Sequence, residues 1–98
     1  MSRTHALKAH PAPFLDVWTG RKTFEVRRDD RGYQVGDILR LQEWTPTEAH
    51  DEAVLGAGGY TGRVAIVLVT YILPGGQWGL PDDLCVMAID VIGREFPR

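Results

Sequence analysis

The stretch Thr61 to Leu73 constrains this chain more than any other, because it reads as a strand with two apolar sides. Val64, Ile66 and Leu68 share one side of the pleat, and Ala65, Val67 and Val69 share the other. Such a strand is expected inside a barrel or beneath a helix, with both faces covered. The rest of the chain must supply the covering layers. With 98 residues, 44% of them hydrophobic, there is material for one core and not for two, so residues 1–98 are read as a single domain.

The remaining elements follow from local pattern. Thr4 to Lys8 alternates weakly up to a proline cluster and reads as a short first strand. Pro11 and Pro13 open a segment in which Phe14, Val17 and Trp18 recur at helical spacing, and Gly20 is placed to end that helix in a left-handed cap. Lys22 to Arg28 alternates cleanly. Lys22, Phe24, Val26 and Arg28 fall on one side and Thr23, Glu25 and Arg27 on the other, so Phe24 and Val26 are expected to supply the core face.

Asp29 to Gly32 has turn chemistry, and Gly36-Asp37 turns the chain into Ile38 to Trp44, with Leu39 and Leu41 as core residues. From Thr45 to Gly59 no periodicity survives, which predicts a surface loop. Pro74 to Pro81 breaks the long strand, and Cys85 to Ile92 returns as the last. The expected fold is α+β: about five main strands rolled into a small mixed β-barrel, one early helix, and a short helical or turn segment before the last strand.

Several function classes fall away. No run approaches the roughly 18 apolar residues of a membrane span, and no charged-then-apolar leader opens the chain, so a cytoplasmic, non-membrane protein is expected. The single cysteine, Cys85, sits in an apolar run and reads as a buried inert thiol. His5, His10 and His50 have no ligand spacing with one another or with Cys85, so neither metal nor cofactor is expected. Gly75-Gly76 lacks the lysine and hydroxyl residue of a phosphate-binding loop.

A net charge of −2 argues against holding long duplexes by electrostatics alone. The charge is uneven, however. Residues 21–40 carry six cations against four carboxylates, a balance of +2, whereas residues 41–58 carry only Glu43, Glu48, Asp51 and Glu52. The first segment therefore suits an anionic ligand.

Glu25 and Arg27 are two residues apart on one strand face and can meet without distortion. Two readings stand: a solvent-exposed ion pair, or an arginine that forks onto a phosphate or base edge while Glu25 orients it. Lys22 has the opposite parity to Glu25, but it follows the Gly20 turn and its long stem can swing to Glu25 or lie over Phe24. Arg31 reads either as part of a turn held by Asp29 and Asp30 or as a further contact. Trp44 and Tyr60 flank the acidic loop, where aromatic faces can stack a base or pack in the core. Lys8, close to His5, completes the set of cleft candidates.

These residues also form an ordered series: His5-x-Leu7-Lys8, Pro13-Phe14, Gly20-x-Lys22-x-Phe24-Glu25-x-Arg27, Asp30-Arg31, Val35-Gly36-Asp37, Tyr60-Thr61-Gly62-Arg63 and Val86-Met87. The series resembles the ASCH branch of the PUA-like superfamily, and more closely a domain-of-unknown-function family within it that is common in bacteria and their phages. The resemblance implies a PUA-type barrel with a cleft beside the early helix and recognition of RNA or a nucleotide, for which the candidates read from the residues are Lys8, Lys22, Glu25, Arg27, Arg31, Trp44 and Tyr60. One ASCH branch comprises amidohydrolases of acylated cytidines that use a lysine, a threonine and a glutamate. Lys22 matches that lysine, but Glu25 stands at the threonine position, so a hydrolase here would rest on Lys22 and Glu25 with Glu25 acting as a base on water. A third reading is a protein-interaction domain whose acidic loop around Asp51 meets a basic partner. A monomer is expected.

Overall fold

A computed structural model describes residues 2–46 and 59–97; the centre of the acidic loop expected from the sequence lies outside them. The elements are β1 (Thr4–Ala9), α1 (Pro11–Trp18), β2 (Phe24–Arg28), β3 (Ile38–Thr45), β4 (Gly59–Pro74) and β5 (Leu84–Glu95). They form one sheet in the order β1-β3-β4-β5-β2. β1 runs parallel to β3, and every other pairing is antiparallel. The sheet curls into a half-barrel, with β1 and β2 as its two edges.

The curl has a local cause. Register shifts interrupt β3/β4 between Gln42 and Trp44, and β4/β5 between Ile66 and Val67 and between Val69 and Tyr71. An extra residue on one strand bends it and increases its twist, which lets strands of 16 and 12 residues roll over the core instead of lying flat. α1 links the two sheet edges. Its eight residues are too few for a helix to persist alone, and packing holds it: Phe14 and Val17 are fully buried in one core with Leu7, Leu39, Leu41, Val67, Val69 and Met87. Gly20, at φ +82°, ends the helix in the left-handed region as its position predicts.

One end of the half-barrel is stitched by a fully buried carboxylate. Asp37 accepts the backbone N–H of Arg3 (3.0 Å) and of Gln34 (3.0 Å), and its other contact is the His5 Nε2 at 2.9 Å. The Tyr33 ring stands edge-on to His5. The start of β1 is thereby fixed to the turn that leads into β3.

The structure corrects two expectations. β4 is covered unequally: Ala65, Val67 and Val69 face the core, whereas on the other side Val64 is buried but Ile66 and Leu68 are only half-buried, on an outer face that no helix among the described residues covers. The covering there is a polar bridge, since Arg40 on β3 reaches past β4 to fork onto Glu95 on β5 at 2.7 and 2.8 Å. On β2 the faces are reversed. Phe24 and Val26 point outward, 46% and 44% exposed, and Glu25 points inward at 6%. β2 is an edge strand whose inner side borders an open cleft rather than packed side chains, so a paired carboxylate is accommodated there. Of the helical or turn segment expected before β5, the turn form is the one present, with Gly76 in the left-handed region and Trp78 at φ +53° and 90% exposed. Among the described residues no helix is long and apolar enough to cross a membrane.

Candidate functional site

The edges β1 and β2 approach each other antiparallel but do not pair as strands. Side chains span the gap instead: Arg27 donates from Nη2 to the Lys8 carbonyl (2.9 Å) and Arg31 from Nη1 to the Ala6 carbonyl (3.1 Å). Arg3 in turn donates to the carbonyls of Arg31 and Gly32 at 2.8 and 2.6 Å, fixing the turn that carries Arg31. Guanidinium groups thus occupy hydrogen-bonding positions that an edge strand would otherwise leave open.

Beside this seam, between the start of α1 and β2, lies a cleft of about 300 Å³. Its apolar side is Pro13, Phe14, Val17 and Leu41, and its polar side is Lys22, Glu25 and Arg27. Glu25 organises the polar side. Its Oε1 accepts Lys22 Nζ at 3.1 Å and its Oε2 accepts Arg27 Nε at 2.7 Å. Lys22 reaches Glu25 despite opposite parity because it precedes the strand proper: the N–H groups of Arg21 and Lys22 both donate to the Asp16 carbonyl, wrapping the chain under the helix end before β2 begins at Phe24. Its ammonium also lies 5.1 Å from the Phe24 ring centre, so the contacts with Glu25 and Phe24 coexist.

The exposed-pair reading of Glu25 and Arg27 is therefore overturned, because the carboxylate is buried. An ammonium has three donors and a guanidinium five, so the bonds just named leave N–H groups on both cations. The arrangement is a buried carboxylate that positions two partly exposed cations, 21% and 24% exposed, on a cleft wall. Such a wall presents the kind of donors that phosphate or carboxylate oxygens accept.

Other candidates are placed differently. Lys8 contributes its carbonyl to the seam, but its ammonium sits 4.2 Å over the Trp44 ring. Trp44 also meets the His10 ring edge-on and lies directly opposite Tyr60 across β3/β4, on the outer face of the sheet. Lys8, Trp44 and Tyr60 therefore form a patch separate from the Lys22-Glu25-Arg27 cluster. Arg31 is bonded to Ala6 across the seam and not to the carboxylates of its own turn. Thr23 is exposed and does not line the cleft. Cys85 is fully buried opposite Arg27, and burial, with Asp29 and Asp30 nearby, pushes its thiol up, consistent with an inert group. Among the described residues no three His, Cys, Asp or Glu side chains are grouped to hold a metal.

Two buried polar clusters join residues that the motif series quotes separately, and one of them contains Glu43, which the series lacks. Besides Asp37 with His5, Glu43 is buried on β3, where it accepts Arg63 Nε (2.8 Å), Arg63 Nη2 (2.9 Å) and Thr61 Oγ1 (2.8 Å). The signal for Glu43 was its parity, since it continues the inward series Leu39, Leu41.

Fold and cleft together define a small α+β half-barrel domain with a cation-rich recess at its seam. Residues 4–89 match the family described as Domain of unknown function (DUF3850), and the chain belongs to that family. It is 32% identical over 78 residues to the "Uncharacterized 12.9 kDa protein in GpA 3'region" of Escherichia phage P2, a match covering 80% of this chain and 62% of the relative. The chain thus spans less than two thirds of that relative's length.

Proposed function

We propose that the domain is an RNA- or nucleotide-binding module of the ASCH branch of the PUA-like superfamily, with its ligand in the cleft between α1 and β2. One observation carries the reading: buried Glu25 holds Lys22 and Arg27 against a cleft of about 300 Å³ that also has an apolar side. Lys22 and Arg27 meet a phosphate, Glu25 fixes both cations before the ligand arrives, and exposed Pro13, seated over buried Phe14, Val17 and Leu41, offers the apolar surface that backs the base or sugar. Holding the cations in place in advance lowers the ordering cost that flexible surface lysines and arginines would incur on binding.

Titration of a labelled RNA oligonucleotide tests this. Affinity should fall as salt is added, and Lys22→Ala and Arg27→Ala should each weaken binding while the folded fraction, followed by thermal melting, stays high. Unchanged affinity in both variants would remove the site assignment.

The Lys22–Glu25 contact also supports a second reading, a small amidohydrolase on acylated nucleosides in which Glu25 takes a proton from water. With Glu25 at the family's threonine position and Thr23 outside the cleft, that reading lacks a hydroxyl nucleophile. Incubation with acylated cytidine decides it, and absence of turnover removes it.

A further inference from the structure

A second, smaller cleft of about 150 Å³ adjoins the first and is lined by Leu7, Arg27, Arg28, Asp30, Arg31 and Tyr33. Arg27 and Arg28 line both clefts, so the two lie in succession along the β1/β2 seam with Arg27 as the rung between them. The geometry is regular. Arg27 and Arg31 are anchored to carbonyls two residues apart on β1, Lys8 and Ala6, which places the anchors about 6.6 Å from one another along the strand.

Charge follows the same line. With the Lys8 ammonium turned to Trp44, the clefts together are lined by four cationic side chains (Lys22, Arg27, Arg28, Arg31) and two carboxylates (Glu25, Asp30), a local balance of +2 on a chain whose net charge is −2. Glu25 is already engaged by Lys22 and Arg27. Tyr33 adds a phenol that burial pushes up, against the opposing pull of Arg31 and Arg27, so it stays protonated at neutral pH.

We propose that the seam is a track for a single-stranded oligonucleotide, with one phosphate at Lys22 and Arg27 and a neighbouring one at Arg28 and Arg31. The inference rests on the nucleic-acid reading above and deepens it, because a free mononucleotide would use only the first cleft. A single strand fits better than a duplex, since the two adjoining clefts are small, about 300 and 150 Å³, and the molecule as a whole repels a polyanion. An acidic peptide fits less well. It has no flat apolar body beside each charge to match the exposed Pro13 side of the first cleft, as a base beside its phosphate does.

The test is fluorescence anisotropy of a labelled oligouridylate over a salt series, with unlabelled uridine monophosphate, a duplex RNA and polyglutamate as competitors. Arg31→Gln should weaken oligonucleotide binding about five- to tenfold, the loss of one charge-assisted contact. It should also lower the log-affinity against log-salt slope by about 0.7, and leave competition by the mononucleotide unchanged. Arg31→Lys should keep most of the slope. Arg28→Gln provides a second variant, because Arg28's one ion pair among the described residues is an exposed one with Asp83 at 3.8 Å, and its loss should not perturb the fold.

If both glutamine variants bind the oligonucleotide with unchanged affinity and slope while Lys22→Ala still weakens it, the track is wrong and the single-cleft reading survives. Competition by polyglutamate at equal charge would transfer the seam to an acidic peptide. Preferential competition by the duplex would overturn the single-strand assignment. Failure of the wild-type protein to bind any oligonucleotide would sink both readings.

Discussion

Glu25 and Glu43 are both carboxylates on the inner side of the sheet, 6% and 5% exposed, and both are held by cationic side chains. Their partners differ in what remains after the bond is made. Arg63 closes on Glu43 as a planar fork, Thr61 adds a third donor, and the guanidinium lies over Phe14 and Trp18 at 5.4 and 5.1 Å from the ring centres. That cluster is turned inward on itself and ties β3 and β4 to α1. Glu25 divides its two oxygens between two different cations, and each cation keeps donors on a cleft wall. Burial of a carboxylate alone does not mark a site; unspent donors beside a cavity do.

The comparison can be broken most forcefully at a third carboxylate. Asp37 is fully buried and takes two backbone N–H groups and His5, so it belongs with Glu43 as a structural group. Asp37→Ala leaves those donors without a partner and should cost about 3–5 kcal/mol of stability, read from urea unfolding. A loss below about 1 kcal/mol would mean that the stitched end contributes little. Glu43→Gln should cost less, about 1–3 kcal/mol, because Arg63 remains partly solvated and the amide still accepts a bond.

Acidity sharpens the same division. Burial pushes the Asp37 carboxyl up, but the Arg3 N–H, the His5 ring and the Gln34 N–H together hold it below its ordinary value. Arg63, opposed by burial and helped by Thr61, does the same to Glu43. Carboxyls with a depressed folded-state value contribute stability that is complete above the ordinary carboxylate range and is lost as pH falls through the folded value. The urea midpoint should therefore be level above about pH 5 and decline below it. The decline should be shallower in Asp37→Asn and Glu43→Gln; an unaltered profile in both variants would assign acid sensitivity to other groups.

Most of the scaffold was legible in the sequence. The alternation of β3 placed Leu39 and Leu41 inside, and Gly20 marked the end of α1. The period of two also put Glu25 and Arg27 on one face. It could not say which face turned inward, because the rule that apolar side chains point to the core assumes a packed core on one side, and β2 borders a cleft. The same rule, applied to Glu43, would have succeeded: its neighbours in parity are Leu39 and Leu41, and acidity concealed it. Arg31 was legible as a candidate, but its partner was not. Its partner is a carbonyl on the opposite edge of the sheet, and nothing local encodes how far a sheet curls. Trp44 and Tyr60 were legible as residues flanking the loop, but their pairing and outward direction depend on the register past the β3/β4 irregularity.

The finest prediction concerns Glu25 itself, where two physical effects oppose each other. Glu25→Gln removes a negative charge from a cleft meant for anions, and electrostatics alone would make nucleotide binding tighter and its salt dependence steeper. The substitution also releases Lys22 and Arg27 from the group that aims them, and mobile cations must be ordered again on binding, at about 0.5–1.5 kcal/mol for each side chain. With two cations released against one charge gained on a partly screened wall, positioning should outweigh charge: affinity near physiological salt falls about threefold to tenfold, while the folded stability changes by less than in Glu43→Gln. Glu25→Asp should fall similarly, since it keeps the charge but shortens the reach to both partners. Tighter binding in Glu25→Gln would show that the carboxylate only restrains an electrostatic site, and Glu25 would then join Glu43 as a structural ion-pair partner.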